Sequence, residues 1–508
     1  MLASLAPRLA SSGHPGNVGS NGVEPIAPTF PRGWSDRQKR FGIVLERGSQ
    51  LVEPSLVQEF LPLAMFFGMA ILLFSGYPIA FILGGLSILF GIIGYFVGTF
   101  TLIEFFNFVP RIWGQAAENL ILVAVPTFVF MGVVMERTGI ANDLLYCCQI
   151  LLRRVPGALA LSVTVMGTIL AAMTGIIGAS VTMMTAMALP TMLRQRYSPA
   201  LATGTIAASG TLGILIPPSI MLIFMADLMQ LSVGSLFMAA LLPGLTLASL
   251  YLTYIFILAN VKPEMAPPLP PGMLYVPGRQ VPLLLLKGFV PPVLLIATIK
   301  CSILFGFATP SEAGAVGAFG ALAIGAALRR LNLENVRGMC NTTALTLSFI
   351  FFIIISATCF AYVFRSLGGD DIVEEIFAAS GFGSWGVLIT ILIMVFLLGF
   401  ILDFIEIALI MFPIFAPLVD DLDFGTHVPH ESVLFWFTVL IAVNLQTSFL
   451  TPPFGYALFY MKGLAPKEVT IGMIYAGIVP FVFLQLLGLV AVVAFPQLVL
   501  WLPSVVYD

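Results

Sequence analysis

The stretch that decides the fold reads Gly210-Thr-Leu-Gly-Ile-Leu-Ile-Pro-Pro-Ser219, and Asn444-Leu-Gln-Thr-Ser-Phe-Leu-Thr-Pro-Pro453 repeats its form later in the chain. Each stretch ends a long apolar run at a Pro-Pro pair. Each also follows another apolar run with a small polar centre, at Thr174–Thr182 and at Gly399–Asp403. Proline interrupts the helical hydrogen-bond ladder, so both stretches are predicted to be broken helices. Interrupted apolar helices at matching positions of two halves point to a transporter binding site.

The composition predicts a polytopic, all-α membrane protein. Of the 508 residues, 59% are hydrophobic and only 9% are charged, a balance that soluble domains do not show. At roughly 20 residues per span, the apolar runs predict about ten crossings and two further hairpins. The net charge of −3 argues against a nucleic-acid partner. Five cysteines without a Cys-x-x-Cys pair and three histidines predict neither a disulfide framework nor a metal cofactor.

The chain is predicted to contain two inverted repeats of five spans each. The parts are a Gly-, Pro- and Ser-rich disordered tail at 1–55, repeat one at 56–260, a Pro-rich linker at 261–281 and repeat two at 282–508. Matching landmarks recur 223 to 235 residues apart, among them Pro78 with Pro310, Gly139 with Gly368 and Pro217 with Pro452. An odd number of crossings inverts the second repeat relative to the first.

Each repeat is predicted to carry one re-entrant hairpin and one broken helix. The hairpins are placed at 156–194 and 384–420, and the broken helices at 199–228 and 431–459. The first hairpin has no charged residue, so two ordinary full spans are the alternative. Its midpoint holds Gly175, Gly178 and Ser180, small residues that suit a tip packed against protein. The matching feature in the second repeat favours a hairpin that does not cross.

The loop charges orient the chain in the membrane. If the base of the first hairpin is cytoplasmic, twelve loop Lys and Arg residues lie inside and only Arg111 and Arg365 lie outside. This bias follows the positive-inside rule. The outer loops instead collect the acidic residues Asp370, Asp371, Glu374, Asp420, Asp421 and Asp423. The basic tail would lie outside, against the rule, but the many loops outweigh one tail.

The hairpin tips and helix breaks offer oxygen ligands for a hard cation. Side chains supply hydroxyls and a broken helix exposes carbonyls, so sodium can bind without a buried charge. Singly, Ser, Gly and Thr are also ordinary packing residues between membrane helices. The predicted ion- and substrate-binding residues are Gly178, Ala179, Ser180, Thr182, Gly210, Thr211, Gly213, Pro217, Pro218, Gly399, Asp403, Asn444, Thr451 and Pro452. Those predicted to hold sodium are Ser180, Gly210, Gly213, Asp403 and Thr451.

Asp403 carries the strongest functional signal, because an ionised carboxylate inside an apolar run is costly. We predict that it coordinates sodium or carries a proton. The alternative is an N-cap of the helix at 404–419, and both roles can hold together. Glu406 lies three residues on, and two adjacent carboxylates repel each other, so we expect Glu406 closer to the membrane interface.

The remaining polar residues carry weaker signals. Glu312 opens a Gly/Ala-rich helix and is interpreted as a first-turn acid that suits the helix dipole. Asn444 and Gln446 are candidates for binding polar atoms of a substrate, and Gln115 and Asn119 are weaker candidates. The sequence has no nucleophile–histidine–aspartate set and no P-loop, so neither an enzyme nor an ATP-driven pump is predicted.

These motifs resemble the large membrane subunit of tripartite ATP-independent periplasmic (TRAP) transporters. The resemblance extends from about residue 60 to the end and is carried by Gly175–Pro190, Ala207–Ser219, Ala308–Ala313 and Val443–Pro453. It implies sodium-coupled uptake of an organic acid anion across the bacterial inner membrane, by an elevator-type fold of the ion-transporter superfamily. At the first tip this chain reads Gly-Ile-Ile-Gly-Ala-Ser where the family often has Ser-Gly-Ser-Ser, which leaves more of the ligation to carbonyls.

The resemblance also implies partners. These are a small four-helix membrane subunit, expected as a separate protein, and a periplasmic substrate-binding protein that delivers the anion, besides the lipid bilayer. No cofactor is expected beyond sodium as the coupling ion. Two other functions fit parts of the pattern: a stand-alone sodium- or proton-coupled organic anion symporter of similar fold, and a membrane scaffold or channel subunit. The Pro-Pro breaks and Asp403 disfavour the scaffold.

Overall fold

The computed structural model describes residues 56–175, 177–268, 277, 279–379, 381–400, 402–452 and 455–507. All regular elements within these residues are helical, which confirms the predicted all-α class. The tail at 1–55, linker residues 269–276 and 278, and Pro453 lie outside the described residues.

The helices follow one another with short connections. In the first half they are α1 Leu56–Leu73, α2 Ile79–Val97, α3 Leu102–Phe106, α4 Phe108–Ile112, a π-helical turn Trp113–Ala117, α5 Ala124–Arg137, α6 Ile140–Leu152, α7 Ala158–Thr174, α8 Ile177–Arg194, α9 Pro199–Thr211, a 3₁₀ turn Leu212–Ile214, α10 Ile220–Leu228 and α11 Val233–Val261. In the second half they are α12 Val281–Gly288, α13 Val290–Leu304, α14 Pro310–Ala327, α15 Leu333–Ser366, α16 Gly369–Ala379, α17 Ser384–Leu398, α18 Phe404–Asp420, a 3₁₀ turn His430–Ser432, α19 Val433–Leu450, α20 Tyr456–Leu464, α21 Ile471–Ala494 and α22 Gln497–Tyr507.

Several helices are long and apolar enough to cross a bilayer, as a polytopic membrane protein requires. In the described part of the chain five pass this test alone, namely α2, α11, α15, α21 and the stretch His430–Leu450. Two bent pairs also pass, α5 with α6 at 65° and α12 with α13 at 43°, which makes up to seven spans. The sequence predicted about ten crossings, because it counted apolar runs that proline and glycine divide into helices shorter than a span.

The bend between α5 and α6 has a local cause. Gly139 stands in this turn with φ +70°, a left-handed conformation that residues with a side chain rarely adopt. Gly368, its predicted partner in the second half, has φ +86° and stands between α15 and α16. Neither α6 nor α16 was predicted from the sequence as an element of its own. Both begin directly after these glycines.

Helices of the two halves pack in an exchanged pattern. Helix α2 packs against α15, and α14 packs against α5. Deeper in the protein, α8 packs against α20 and α18 packs against α10. Under the predicted correspondence of Pro78 with Pro310 and of Pro217 with Pro452, each contact has its counterpart with the halves exchanged. An approximate two-fold relation produces this pattern. The division into inverted repeats itself stays a prediction.

Helices α9 and α21 approach each other to backbone contact. A Cβ atom added to Gly477 would lie 1.9 Å from the carbonyl oxygen of Ala200, and one added to Gly204 would lie 2.1 Å from the carbonyl oxygen of Gly477. Membrane helices use small residues at such crossings, because van der Waals packing holds them together where lipid is as apolar as the protein. This crossing ties the first broken helix to the end of the chain.

We therefore expect Gly477→Ala to push α21 away from α9 and to destabilise the protein by about 1–3 kcal/mol, the usual cost of overpacking. The matched control is Gly472→Ala on the same helix, where the nearest atom to an added Cβ is 3.9 Å away. Thermal unfolding of the purified protein should show a lower melting temperature for Gly477→Ala alone. Equal melting temperatures for the two variants would contradict the crossing.

Candidate functional site

The tip of the first hairpin lies against the first broken helix. Between α7 and α8 the chain turns at Gly175, which has φ +59°. A Cβ atom at this position would lie 2.9 Å from the backbone nitrogen of Ile220, the first residue of α10. Gly178 and Ser180 follow on the first turn of α8 and are buried, whereas Ala179 and Thr182 are half-buried. The tip of the first hairpin, which we call tip one, therefore packs over the start of α10, where the first broken helix continues.

The first break is closed by local hydrogen bonds. Helix α9 ends at Thr211, and the backbone N–H groups of Leu215 and Ile216 both donate to the Leu212 carbonyl. The Ser219 hydroxyl donates to the Ile214 carbonyl at 2.7 Å. Pro217 has no N–H, so the Gly213 carbonyl receives no helical bond from it. The residues from Gly210 to Ser219 are all buried, with Pro217 and Pro218 among them, joined by a cis peptide.

The first hairpin also packs along the helix before the break. A Cβ atom at Gly210 would lie 2.6 Å from Cγ2 of Val181 on α8. The Ser209 hydroxyl donates to the Thr164 hydroxyl of α7 at 3.3 Å. Both helices of the hairpin thus contact α9, and the predicted site residues of the first half form one contiguous group.

The second tip is built around a capping box. Asp403 is the N-cap of α18: its Oδ1 accepts from the Phe404 N–H at 2.8 Å. In return, Oε2 of Glu406 accepts from the Asp403 N–H at 3.0 Å. Asp403 is 9% exposed and Glu406 is 8% exposed. The N-cap interpretation of Asp403 is confirmed. Glu406 is buried beside Asp403, because closing the capping box draws this side chain into the protein, whereas its expected place nearer the membrane interface stays a prediction.

Two buried carboxylates therefore lie side by side at the second tip. Neither forms an ion pair with Lys or Arg in the described part of the chain. The Tyr456 hydroxyl at the start of α20 is 3.0 Å from the hydroxyl of Tyr460 on the same helix. Like charges this close favour a bound cation or a shared proton. The arrangement can hold either one.

The second tip is anchored to the second broken helix. A Cβ atom at Gly399 would lie 2.5 Å from Oγ of Ser448 on α19. The amide of Asn444 donates to the Leu392 carbonyl of α17 at 2.7 Å, so the Asn444 nitrogen secures the hairpin. Helix α19 ends before Thr451, whose hydroxyl donates to the Thr447 carbonyl at 2.7 Å. The Thr451 oxygen keeps lone pairs for a ligand. Like Thr451, the neighbouring Pro452 is half-buried.

The two halves of the site meet at Thr211 and Gln446. The amide nitrogen of Gln446 lies 3.4 Å from the Thr211 hydroxyl oxygen, and both residues are 0% exposed. The two residues are 235 apart, the same spacing as Pro217 and Pro452. In the predicted repeats Thr211 and Gln446 are equivalent residues, and their contact would then lie on the two-fold axis that relates the repeats. The two halves also meet where α8 packs against α20: a Cβ atom added to Gly178 would lie 3.0 Å from the ring of Tyr460.

One acidic residue was missed by the sequence analysis. Asp227 lies near the end of α10, and its carboxylate accepts from Nε2 of Gln115 at 3.0 Å and from Nδ2 of Asn119 at 2.8 Å. These two amides, weaker candidates for substrate binding, are thus engaged with Asp227 away from the tips. Nothing in the local sequence pairs groups more than a hundred residues apart. For Glu312, the first-turn interpretation is confirmed: it closes an exposed capping box with Thr309.

The sequence model of a family described as "Tripartite ATP-independent periplasmic transporter, DctM component" matches residues 66–498. The chain is 28% identical over 391 residues to the C4-dicarboxylate TRAP transporter large permease protein DctM of Pseudomonas aeruginosa, covering 77% of this chain and 88% of that protein. It is 25% identical over 440 residues to the sialic acid TRAP transporter large permease protein SiaM of Vibrio cholerae, covering 86% and 97%.

A solved structure has a similar fold. The Alcanivorax borkumensis YdaH transporter, described as having an unusual topology, superposes with a TM-score of 0.56 at 13% sequence identity. The superposition covers 79% of this chain and 89% of that one. At this level of identity the similarity concerns the fold alone.

The contact of Gly399 with Ser448 generates a prediction. The backbone of Gly399 has φ −67°, which alanine adopts freely, so Gly399→Ala tests the close approach alone. We expect a lower melting temperature, equivalent to about 1–3 kcal/mol. Adding Ser448→Gly to the same chain should recover part of the loss, because it removes the atoms in the way.

Gly463→Ala is the control, since no atom lies within 4 Å of a Cβ added there. The contact is refuted if the double variant melts no higher than Gly399→Ala.

Proposed function

The chain belongs to the DctM component family of tripartite ATP-independent periplasmic transporters, and on that premise we propose that it imports an organic acid anion together with sodium by an elevator movement. Its relatives are large permease proteins, and its apolar helices make it a multi-pass membrane protein. The observation that carries the proposal is the convergence of two hairpin tips and two helix breaks around Thr211 and Gln446.

Sodium coupling is supported by the oxygen groups at this centre. The carboxylates of Asp403 and Glu406 are buried without a basic partner, and a hard cation takes such oxygens. The Gly213 carbonyl, which Pro217 cannot satisfy, and the hydroxyls of Ser180 and Thr451 are further oxygens at the tips and breaks. Gly210 precedes the first helix break, and its lack of a side chain lets α8 of the first hairpin pack closely against α9.

An organic anion is supported by the direction of the helices. Four helices begin at the tips or breaks: α8 at tip one, α10 after break one, α18 at tip two and α20 after break two. A helix N-terminus carries a partial positive charge and unpaired N–H groups, which favour a carboxylate. The printed names of two relatives, for a C4-dicarboxylate and for sialic acid, point to the same class of cargo.

The elevator movement is supported by the grouping of contacts. We call the hairpins α7–α8 and α17–α18 and the broken helices α9–α10 and α19–α20 the transport bundle, and α1, α2 and α12–α15 the scaffold. Within the bundle, each hairpin packs on the broken helix of the other half. Such exchanged contacts favour one rigid unit that carries its site past the scaffold. The segment 108–119, which packs on α15, reaches the bundle at Asp227 through Gln115 and Asn119.

The membrane and the partners follow from the family. We propose the bacterial inner membrane, a small four-helix membrane subunit encoded separately, and a periplasmic protein that delivers the anion. These partners accompany the family name that the chain matches.

The sodium site leads to a prediction whose first readout, the melting temperature, needs no knowledge of the substrate. Asp403→Asn keeps the shape and N-capping ability but removes the charge. We expect sodium chloride to raise the melting temperature of the parent protein above its value in equal choline chloride, because a ligand of the folded state stabilises it. Asp403→Asn should lose this difference, and sodium-driven uptake should fall roughly tenfold or more, since a factor of ten is 1.4 kcal/mol.

Glu312→Gln is the control, because it also neutralises a capping-box carboxylate, at the N3 position of the exposed box of α14. It should keep both the sodium-dependent melting shift and the uptake. If Asp403→Asn retained both, Asp403 would be an N-cap only. Uptake that is unaffected when choline replaces sodium would refute sodium coupling.

The movement predicts the effect of a crosslink. In a chain without native cysteines, Gln115→Cys is combined with Asp227→Cys. The polar atoms of the two native side chains are 3.0 Å apart, with Asp227 in the transport bundle and Gln115 in the segment 108–119 that packs on α15 of the scaffold. Joining the two cysteines with a bifunctional thiol reagent should stop uptake, and reductant should restore it. The control pair is Phe81→Cys with Phe352→Cys, on α2 and α15 of the scaffold, where the two ring centroids are 4.9 Å apart. Uptake by the crosslinked Gln115–Asp227 pair at the control rate would exclude the elevator movement.

A further inference from the structure

A small cavity lies at the predicted outer face, where the transport bundle meets α15. It has a volume of about 140 Å³. Arg111, Tyr362 and Arg365 line it from the α15 side, and Leu228 and Pro413 line it from the bundle. A water molecule occupies about 30 Å³ of liquid volume, so the cavity has room for a carboxylate with several waters.

The charged side chains that line this cavity are basic, although Asp370 pairs with Arg365 and Asp227 accepts from the lining residue Gln115. The outer loops are predicted to be acidic, and Arg111 and Arg365 are the two loop cations assigned to that side. These two arginines, 254 residues apart in sequence, line the same cavity, and its described lining includes no acidic residue. A cationic cleft on an acidic surface concentrates anions at one place.

Arg111 has free hydrogen-bond donors. Its Cζ atom lies 4.3 Å from the centroid of the Tyr362 ring, and the Tyr362 hydroxyl accepts from Nδ2 of Asn107 at 2.9 Å, which holds the ring in place. In the described part of the chain no carboxylate pairs with Arg111. A guanidinium stacked on an aromatic face keeps its edge N–H groups for a planar acceptor such as a carboxylate.

Arg365 is held in a fixed orientation. Its Nε pairs with Asp370 at 3.1 Å, and its Nη2 donates to the Pro413 carbonyl of α18. That carbonyl is available because Pro417, one turn on, has no N–H to offer it. A guanidinium has five N–H donors, so some remain for a ligand. A side chain already held in place loses little freedom on binding.

We propose that this cavity is a docking site for a carboxylate group of the transported anion, with Arg111 and Arg365 as its binding groups. The anion occupies it on the outer face before it reaches the hairpin tips. That the ligand is an organic anion rests on the proposed function, whereas the electrostatic character of the cavity can be measured independently.

The test measures the local potential directly. Ala361 lines the cavity and is half-buried, so Ala361→Cys in a chain whose five native cysteines are replaced puts one thiol there. The thiol is reacted with an anionic and a cationic methanethiosulfonate of similar size. We expect the anionic reagent to react faster, and Arg111→Gln or Arg365→Gln each to lower the rate ratio about five- to tenfold, as one charge a few ångströms away should.

Matched variants separate charge from structure. Arg111→Lys and Arg365→Lys keep the charge and should retain the preference for the anionic reagent, whereas Arg279→Gln, in a loop predicted to be inside, should leave it unchanged. Succinate should slow labelling of the Ala361→Cys chain with both arginines intact more than chloride does at equal ionic strength. That protection should disappear in Arg111→Gln.

The outcomes distinguish this proposal from the proposed function. An unchanged rate ratio in both Gln variants, or no protection by succinate, overturns the docking site. Protection only by the purified periplasmic protein also overturns it, since the arginines would then bind an acidic protein surface. Succinate protection in a chain that shows no sodium-dependent uptake supports the docking site and refutes the transport mechanism.

Discussion

A proline pair inside a membrane helix imposes the constraint on which the rest of this structure depends. Each proline leaves a carbonyl one turn earlier without its helical donor, and lipid offers no substitute. The protein must therefore cover each break with other polar groups. At the first break the Ser219 hydroxyl satisfies the Ile214 carbonyl, and the hairpin turn at Gly175 packs directly onto Ile220. The hairpins are consequently required by the breaks, and the two features occur together in each half.

The same breaks set the electrostatics of the centre. Four helices begin there and present partial positive charge, while Asp403 and Glu406 bring two carboxylates into the same buried region. In the capping box, the side chains of Asp403 and Glu406 cap the N-terminus of α18 and also bring two carboxylates together. A cation beside the carboxylates and an anion at the helix starts would stabilise each other. This gives a physical basis for coupling the binding of the two.

The exchanged packing supports the proposed difference in role between the transport bundle and the scaffold. Within the transport bundle the halves are joined by close packing, such as that of Gly178 against the Tyr460 ring. At the outer boundary, polar contacts run from side chains outside the bundle to acceptors within it, as with Arg365 and the Pro413 carbonyl. Hydrogen bonds of this kind contribute about 1 kcal/mol each and can be exchanged, whereas interdigitated apolar packing has few alternative arrangements.

Local rules allowed the sequence to determine much of this protein. Proline and capping residues act over a few positions, so the helix ends at Ser384 and Asp420 and the N-cap at Asp403 could be predicted from their neighbours. Only the tertiary structure decided which distant groups meet. Glu406 is buried, Asp227 binds two amides more than a hundred residues earlier, and Arg111 shares a cavity with Arg365. These contacts follow from how whole helices pack, and packing between distant segments leaves no periodic signal in the residues around either partner.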